Sequence, residues 1–370
     1  MEAKNINIIH INQMINSAIQ QSSDGSSINI PTEEAEKVKE FLTSIDTNID
    51  RLKIQHAFIN NLGNSQRLAA KYFSDLIIEL KSHVVKSQAE LNKDKPWAYL
   101  FTTELEDMKP LKVRIIDFLI MVYECANDTK IIHEYFKSLL QVSFDEYENF
   151  QNKNFWGYIK TDHYRTIIYD VFLNISAYLA KNERIEELSS LINSSYQVKC
   201  ITGSGSSDPH VEYKTVSFVY FNMPVISIND IYHRQHNNLI DWDRRNLYTE
   251  TIHGLNNENK SVSFNDIINI DVLLYFISLF KYAEGKSTTV WVPHTSPMRK
   301  DNTSELMLKC TSQAFFSRVI SIFGVIDVTS FNTILPKVLK LKQESDGAYE
   351  KYNLPESDFA LYYQYINTQL

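Results

Sequence analysis

The chain has 370 residues, of which 44% are hydrophobic, 22% charged and 12% aromatic, so global disorder is excluded and a sizeable core is within reach. A net charge of −8 excludes a generally basic surface for phosphate backbones or acidic lipid, though not a local basic patch. Cys125, Cys200 and Cys310 lie far apart without CxxC spacing, which predicts neither a disulfide framework nor a structural zinc site and favours a reducing cytoplasm.

From Met1 to Gln21 the chain alternates Ile with Asn and His and has no continuous apolar run, so no secretory leader is expected. Residues Gln20 to Ser27 are a polar breaker, and we treat 1–30 as a polar N-terminal segment. Pro31 and Thr32, a suitable N-cap before Glu33 and Glu34, open the first predicted helix. Val38, Leu42, Ile45, Ile49, Leu52, His56 and Ile59 follow at steps of four and three, which places them on one stripe expected to face a partner helix.

Leu68, Tyr72, Phe73, Leu76, Ile77 and Leu80 mark a second helix after Gly63, and Pro110 opens a nearly apolar third through Ile115, Ile116, Leu119 and Ile120. Ile131 to Leu140 predicts a fourth. Ile167, Ile168, Val171, Phe172, Ile175, Tyr178 and Leu179 predict a fifth, with Arg184 to Ile192 a short companion. Residues 31–195 therefore read as an all-α, bundle-like first half.

At Tyr196 the pattern changes. Val198 and Cys200, then Val211, Tyr213, Val216, Phe218 and Tyr220, carry period-two or β-branched character on either side of GSGSSDP, which predicts a β-hairpin with a flexible loop. Helical periodicity resumes over Trp242 to His253 and Ile267 to Tyr282, yields to Gly285 and a strand-like STTVWVPH, and returns from Ser304 to Phe323. Ile334 to Gln343 and Pro355 to Ile366 are predicted helices separated by a turn at Ser345 to Gly347. Residues 196–370 thus read as a mixed, mostly helical domain, and the fold class as mainly α. No internal repeat of constant period is present. The most apolar stretches, Val113 to Tyr123 and Val272 to Phe280, are too short for a membrane span, so no membrane partner is expected.

Chemistry-bearing residues fall in a few places. Arg51 and His56 form R-x4-H on a predicted helix, and in this spacing the chain resembles HEPN-type ribonucleases. The resemblance covers those two residues; it implies a pair that polarises a scissile phosphate and supports attack by the ribose hydroxyl. Against it, His56 lies on the apolar stripe, where a packed histidine is expected. The densest polar cluster runs from Tyr232 to His253 and contains His233, Arg234, His236, Asp243, Arg244, Arg245 and His253. Its arginines would suit an anion or nucleic acid, while its His and Glu spacing falls short of a di-iron or zinc ligand set, so neither metal nor cofactor is expected. The alternative is a solvated helix face with i,i+4 pairing.

Gly203 to Ser207 lacks the GK[ST] ending and following helix of a P-loop. Glu212-Tyr213-Lys214 matches the E-x-K half of a PD-(D/E)xK nuclease, but no upstream Asp stands at a suitable distance. The loop from Pro293 to Asp301 has donors for an anion, and no G-x-S-x-G elbow occurs. The expectation is a cytoplasmic helical interaction protein (adaptor, sensor or complex subunit) whose partner is another protein. The chain is rich in Asn, Ile, Lys and Tyr at the expense of Gly and Ala, a bias typical of AT-rich coding and compatible with a bacterial defence or mobile-element setting. The rival is a nucleic-acid-directed enzyme or binder using Arg51 and His56 or the 233–253 cluster.

Overall fold

The computed structural model describes residues 50–60, 62–90, 97–126, 129–151, 157–202, 210–222, 261–293, 295, 309–310 and 312–349. Helices make up 76% of the described residues and the sheet is a single antiparallel pair, so the fold is mainly α with a small hairpin. Backbone contacts divide the chain at 57/58, and the architecture that follows is that of the unit from Phe58 onward.

Among its described residues that unit begins with four long helices, α1 (Ser65–Glu90), α2 (Trp97–Cys125), α3 (Lys130–Gln151) and α4 (Gly157–Lys181), and a short α5 (Ile185–Asn193). Strands β1 (Tyr196–Thr202) and β2 (His210–Val216) follow, then a 3-10 turn at Phe218–Phe221. Beyond them lie α6 (Phe264–Ala283), α7 (Gln313–Val319), a second 3-10 turn at Ile320–Phe323 and α8 (Val328–Tyr349).

The core forms around α4, which packs against α1, α2, α3, α5 and α6. A helix enclosed on so many sides cannot keep a polar face, and residues 166–179 are all buried. Phe172 lies at its centre, stacked on Phe221 at 4.5 Å between ring centroids and meeting Phe136 edge-on at 5.5 Å. The second enclosed helix, α6, starts at a capping box. Ser263 Oγ accepts from the Asp266 backbone N–H at 3.2 Å, and the Ser263 N–H donates to the Asp266 carboxylate at 2.8 Å. Of residues 267–281 in α6, all but Asn269 are buried.

Among the described residues from Phe58 onward, contacts run across 195/196. Helix α6 packs on α4, and α5 packs on the 320–323 turn, so the described residues on the two sides of that boundary share one core. Helix α2 differs from expectation in running through Pro110 instead of opening there. Leu105, Met108, Leu111 and Ile115 are buried at helical spacing on both sides of the proline, and their packing outweighs the lost backbone bond. The expected turn at Ser345 to Gly347 is likewise inside α8, since one glycine costs a helix only about 1 kcal/mol.

The strand-like STTVWVPH makes no strand among its described residues. Its backbone is held by side chains: the Trp291 N–H donates to Ser278 Oγ at 2.9 Å and the Val292 N–H to Asn222 Oδ1 at 2.9 Å. Asn222 Nδ2 returns a bond to the Val292 carbonyl at 2.8 Å, so one amide side chain does the work of a neighbouring strand. Among the described residues no single helix is long and apolar enough to cross a membrane. The GSGSSDP loop, most of the first predicted helix, the helices at 242–253 and 355–366 and most of the 293–301 loop lie outside the described residues.

Candidate functional site

Buried polar groups are the first place to seek chemistry, because a desolvated charge is retained only where something satisfies it. Asp271 on α6 is fully buried. Its Oδ1 accepts from Tyr169 OH at 2.9 Å and Trp291 Nε1 at 2.7 Å, and its Oδ2 accepts from Thr295 N and Oγ1 at 2.9 and 2.8 Å. Burial pushes its pKa from the ordinary 3.8 up to about 6, and those donors restrain the rise. Tyr169 also stacks on Trp291 at 5.3 Å. With both carboxylate oxygens engaged and no exposure, Asp271 fastens the 291–295 segment to α4 and α6.

Lys112 of α2 and Asp170 of α4 form a second buried pair, Nζ to Oδ2 at 2.6 Å, with 1% and 0% side-chain exposure. Asn193 at the end of α5 is a third polar junction: its Nδ2 donates to the Ser321 carbonyl at 3.0 Å and its Oδ1 accepts from Lys281 Nζ at 2.9 Å. Burial lowers the Lys281 pKa to about 8, and the ammonium sits 5.7 Å from the Phe218 ring centroid. Cys310 is buried, which pushes its thiol up to about 12 and leaves little nucleophilic thiolate at neutral pH. Asp271, the Lys112–Asp170 pair and Asn193 each link helices to one another or to a neighbouring segment.

The hairpin behaves differently. Tyr196, Val198 and Cys200 of β1 are buried, whereas β2 is exposed from His210 to Thr215, with Tyr213 71% and Val211 51% accessible. Strand β1 packs against α3, and its outer edge is closed by the Gln141 side chain. The Lys199 N–H donates to Gln141 Oε1 at 2.7 Å, and Gln141 Nε2 donates to the Lys199 carbonyl at 2.9 Å. Lys199 pairs with Tyr213 across the ladder. Since Lys199 directs its backbone groups away from β2, the pair is of the non-hydrogen-bonded type, and Tyr213 directs its own N–H and C=O outward. Alternation gives Val211 and Thr215 the same direction. Among the described residues, no further strand covers this edge.

Of the sequence-predicted candidates, Arg51 is half-buried and His56 is exposed on helical residues 50–59. The expected packing of His56 is overturned: Leu52 and Ile59 are 58% and 63% exposed, while Ile54, Ala57 and Phe58 are buried. Two apolar stripes compete on this short helix, and Ile54 with Phe58, four apart, belong to the one that is buried. His56 is five positions after Arg51, which places the two about 140° apart around the helix axis. His233, Arg234, His236, Asp243, Arg244, Arg245 and His253 lie outside the described residues. Among the described residues no group of His, Cys, Asp or Glu gathers as a metal site.

No family model, curated protein or solved structure matches this chain. Sequence reading missed Lys112, Asp170 and Asp271; for Asp170 and Asp271 the local signal is an isolated charge in an otherwise apolar helical run, whereas Lys112 stands among other charges and carries no such signal.

Proposed function

We propose that the protein acts by binding another protein, as an adaptor or complex subunit, and that the outer edge of β2 is its docking surface. The observation that carries this reading is the contrast within one hairpin. Strand β1 is buried on one face and closed at its edge, while β2 presents Val211, Tyr213 and outward backbone groups without a neighbouring strand among the described residues. An edge of this kind offers main-chain hydrogen bonds for affinity and alternate side chains for selectivity. The test places a photo-cross-linking residue at Tyr213 and, as a control, at Ile326, which is 93% exposed. A discrete protein adduct at 213 and none at 326 supports the reading; no adduct at 213 ends it.

The exposure of His56 supports a second reading, an RNA-directed activity of Arg51 and His56. Arg51→Ala and His56→Ala should then each abolish cleavage of RNA by the purified chain, and a chain that cleaves no RNA eliminates it.

A further inference from the structure

We infer that the partner seated on β2 is the β2 strand of a second copy of this chain, paired antiparallel about a two-fold axis through Tyr213. The inference rests on the docking surface proposed above and adds the identity of its occupant.

A two-fold pairing of identical strands leaves one choice open, the residue at the axis, and both copies present the same face to the same side. With Tyr213 on the axis, the outward N–H and C=O of Tyr213 meet those of its counterpart, and Val211 stands opposite the partner copy's Thr215. The position between them then pairs Glu212 with the Lys214 of the other copy, twice by symmetry. This is the non-hydrogen-bonded position, where side chains approach most closely. Moving the axis to Glu212 brings two glutamates face to face, and moving it to Lys214 brings two lysines together. The sequence of β2, HVEYKTV, is thus charge-complementary to itself in one register and repulsive in both adjacent ones.

Neither Glu212 nor Lys214 has an ion pair within the described chain, although both are exposed on the strand. A lone lysine on an edge strand would discourage pairing. Placed two residues from a glutamate, it makes pairing selective. The product is a four-stranded sheet, β1-β2-β2-β1, with Gln141 closing each end.

The experiment measures the mass of the full chain over a concentration series by sedimentation, for the wild type, Glu212→Lys, Lys214→Glu and the double exchange. The wild type should be a concentration-dependent dimer. Each single reversal places like charges opposite one another at both positions and should weaken the dimer roughly tenfold, while the double exchange should return it to within about twofold of wild type. Both substituted positions are on the exposed strand, and unchanged circular dichroism establishes that the variants fold. A wild type monomeric throughout overturns the inference, as does a dimer indifferent to the reversals. If either result accompanies a cross-link from 213 to a different protein, the docking surface stands and its occupant is that protein. If no cross-link forms either, both readings fail.

Discussion

The interior around α4 and the outer strand of the hairpin use much the same residue types, a tyrosine, a threonine, a lysine and an acid. In the interior, Tyr169, Thr295 and Trp291 converge on Asp271, and Lys112 meets Asp170, so each of these groups finds its partner within the chain. On β2, Tyr213, Thr215, Lys214 and Glu212 are exposed, and the strand's outer edge is uncovered among the described residues. Residue type therefore says little about role in this molecule. Whether a polar group is already satisfied says much more, and the interior groups should govern stability while the β2 groups govern association.

The largest effect expected from that division is at the buried ion pair. Lys112→Met removes the ammonium and leaves the Asp170 carboxylate buried beside an apolar chain, which should lower unfolding free energy by about 3–5 kcal/mol in denaturant titration. A loss below about 1 kcal/mol would mean that the interior does not depend on its pairing as described.

Next is the pH dependence set by Asp271. Its folded pKa of about 6 lies above its ordinary 3.8, so its neutral form is favoured in the folded protein, and the associated stability is present in full below about pH 4 and lost as pH rises through about 6. Asp271→Asn has no such titration. The stability of the wild type relative to this variant should therefore increase as pH falls from 7 to 5, approaching a total on the order of 3 kcal/mol at complete protonation. A difference independent of pH in melting experiments would contradict the desolvation of Asp271.

Gly324 gives a smaller test of the α5 junction. Its φ of +71° is left-handed, and an added Cβ would lie 3.0 Å from Asn193 Oδ1, the acceptor for Lys281. Gly324→Ala should cost about 1–2 kcal/mol, through backbone strain and displacement of the Asn193 amide. His56→Ala, at an exposed position, should change stability by less than about 0.5 kcal/mol in the same measurement.

The sequence predicts helices over the regions of α1, α3, α4, α5 and α6, and the β1–β2 hairpin, because apolar spacing is a local signal and these elements bury what it marks. Long-range polar pairing has no such signal. Lys112 and Asp170 are 58 residues apart, and the donors to Asp271 come from both α4 and the 291–295 segment. The segment around Trp291 has strand-like composition, yet Asn222 and Ser278 satisfy its backbone with side chains, an arrangement that residue types alone do not announce. His56 shows the opposite difficulty. Its apolar stripe is genuine in sequence, but Ile54, Ala57 and Phe58 form a competing stripe, and burial follows the latter. For β2, alternation predicts a strand; the openness of its edge follows only once Gln141 is seen to close the other side.

The central claim, that β2 serves association and not the fold, is tested most directly by Tyr213→Lys. Two quantities are read: the melting temperature of the purified chain, at a dilution where the wild type is monomeric, and the size at which the chain elutes from gently lysed cells. Tyr213→Lys should leave that melting temperature unchanged, since Tyr213 is 71% exposed, and should shift the chain from a larger assembly to the free monomer. A variant that elutes with the wild type would contradict it.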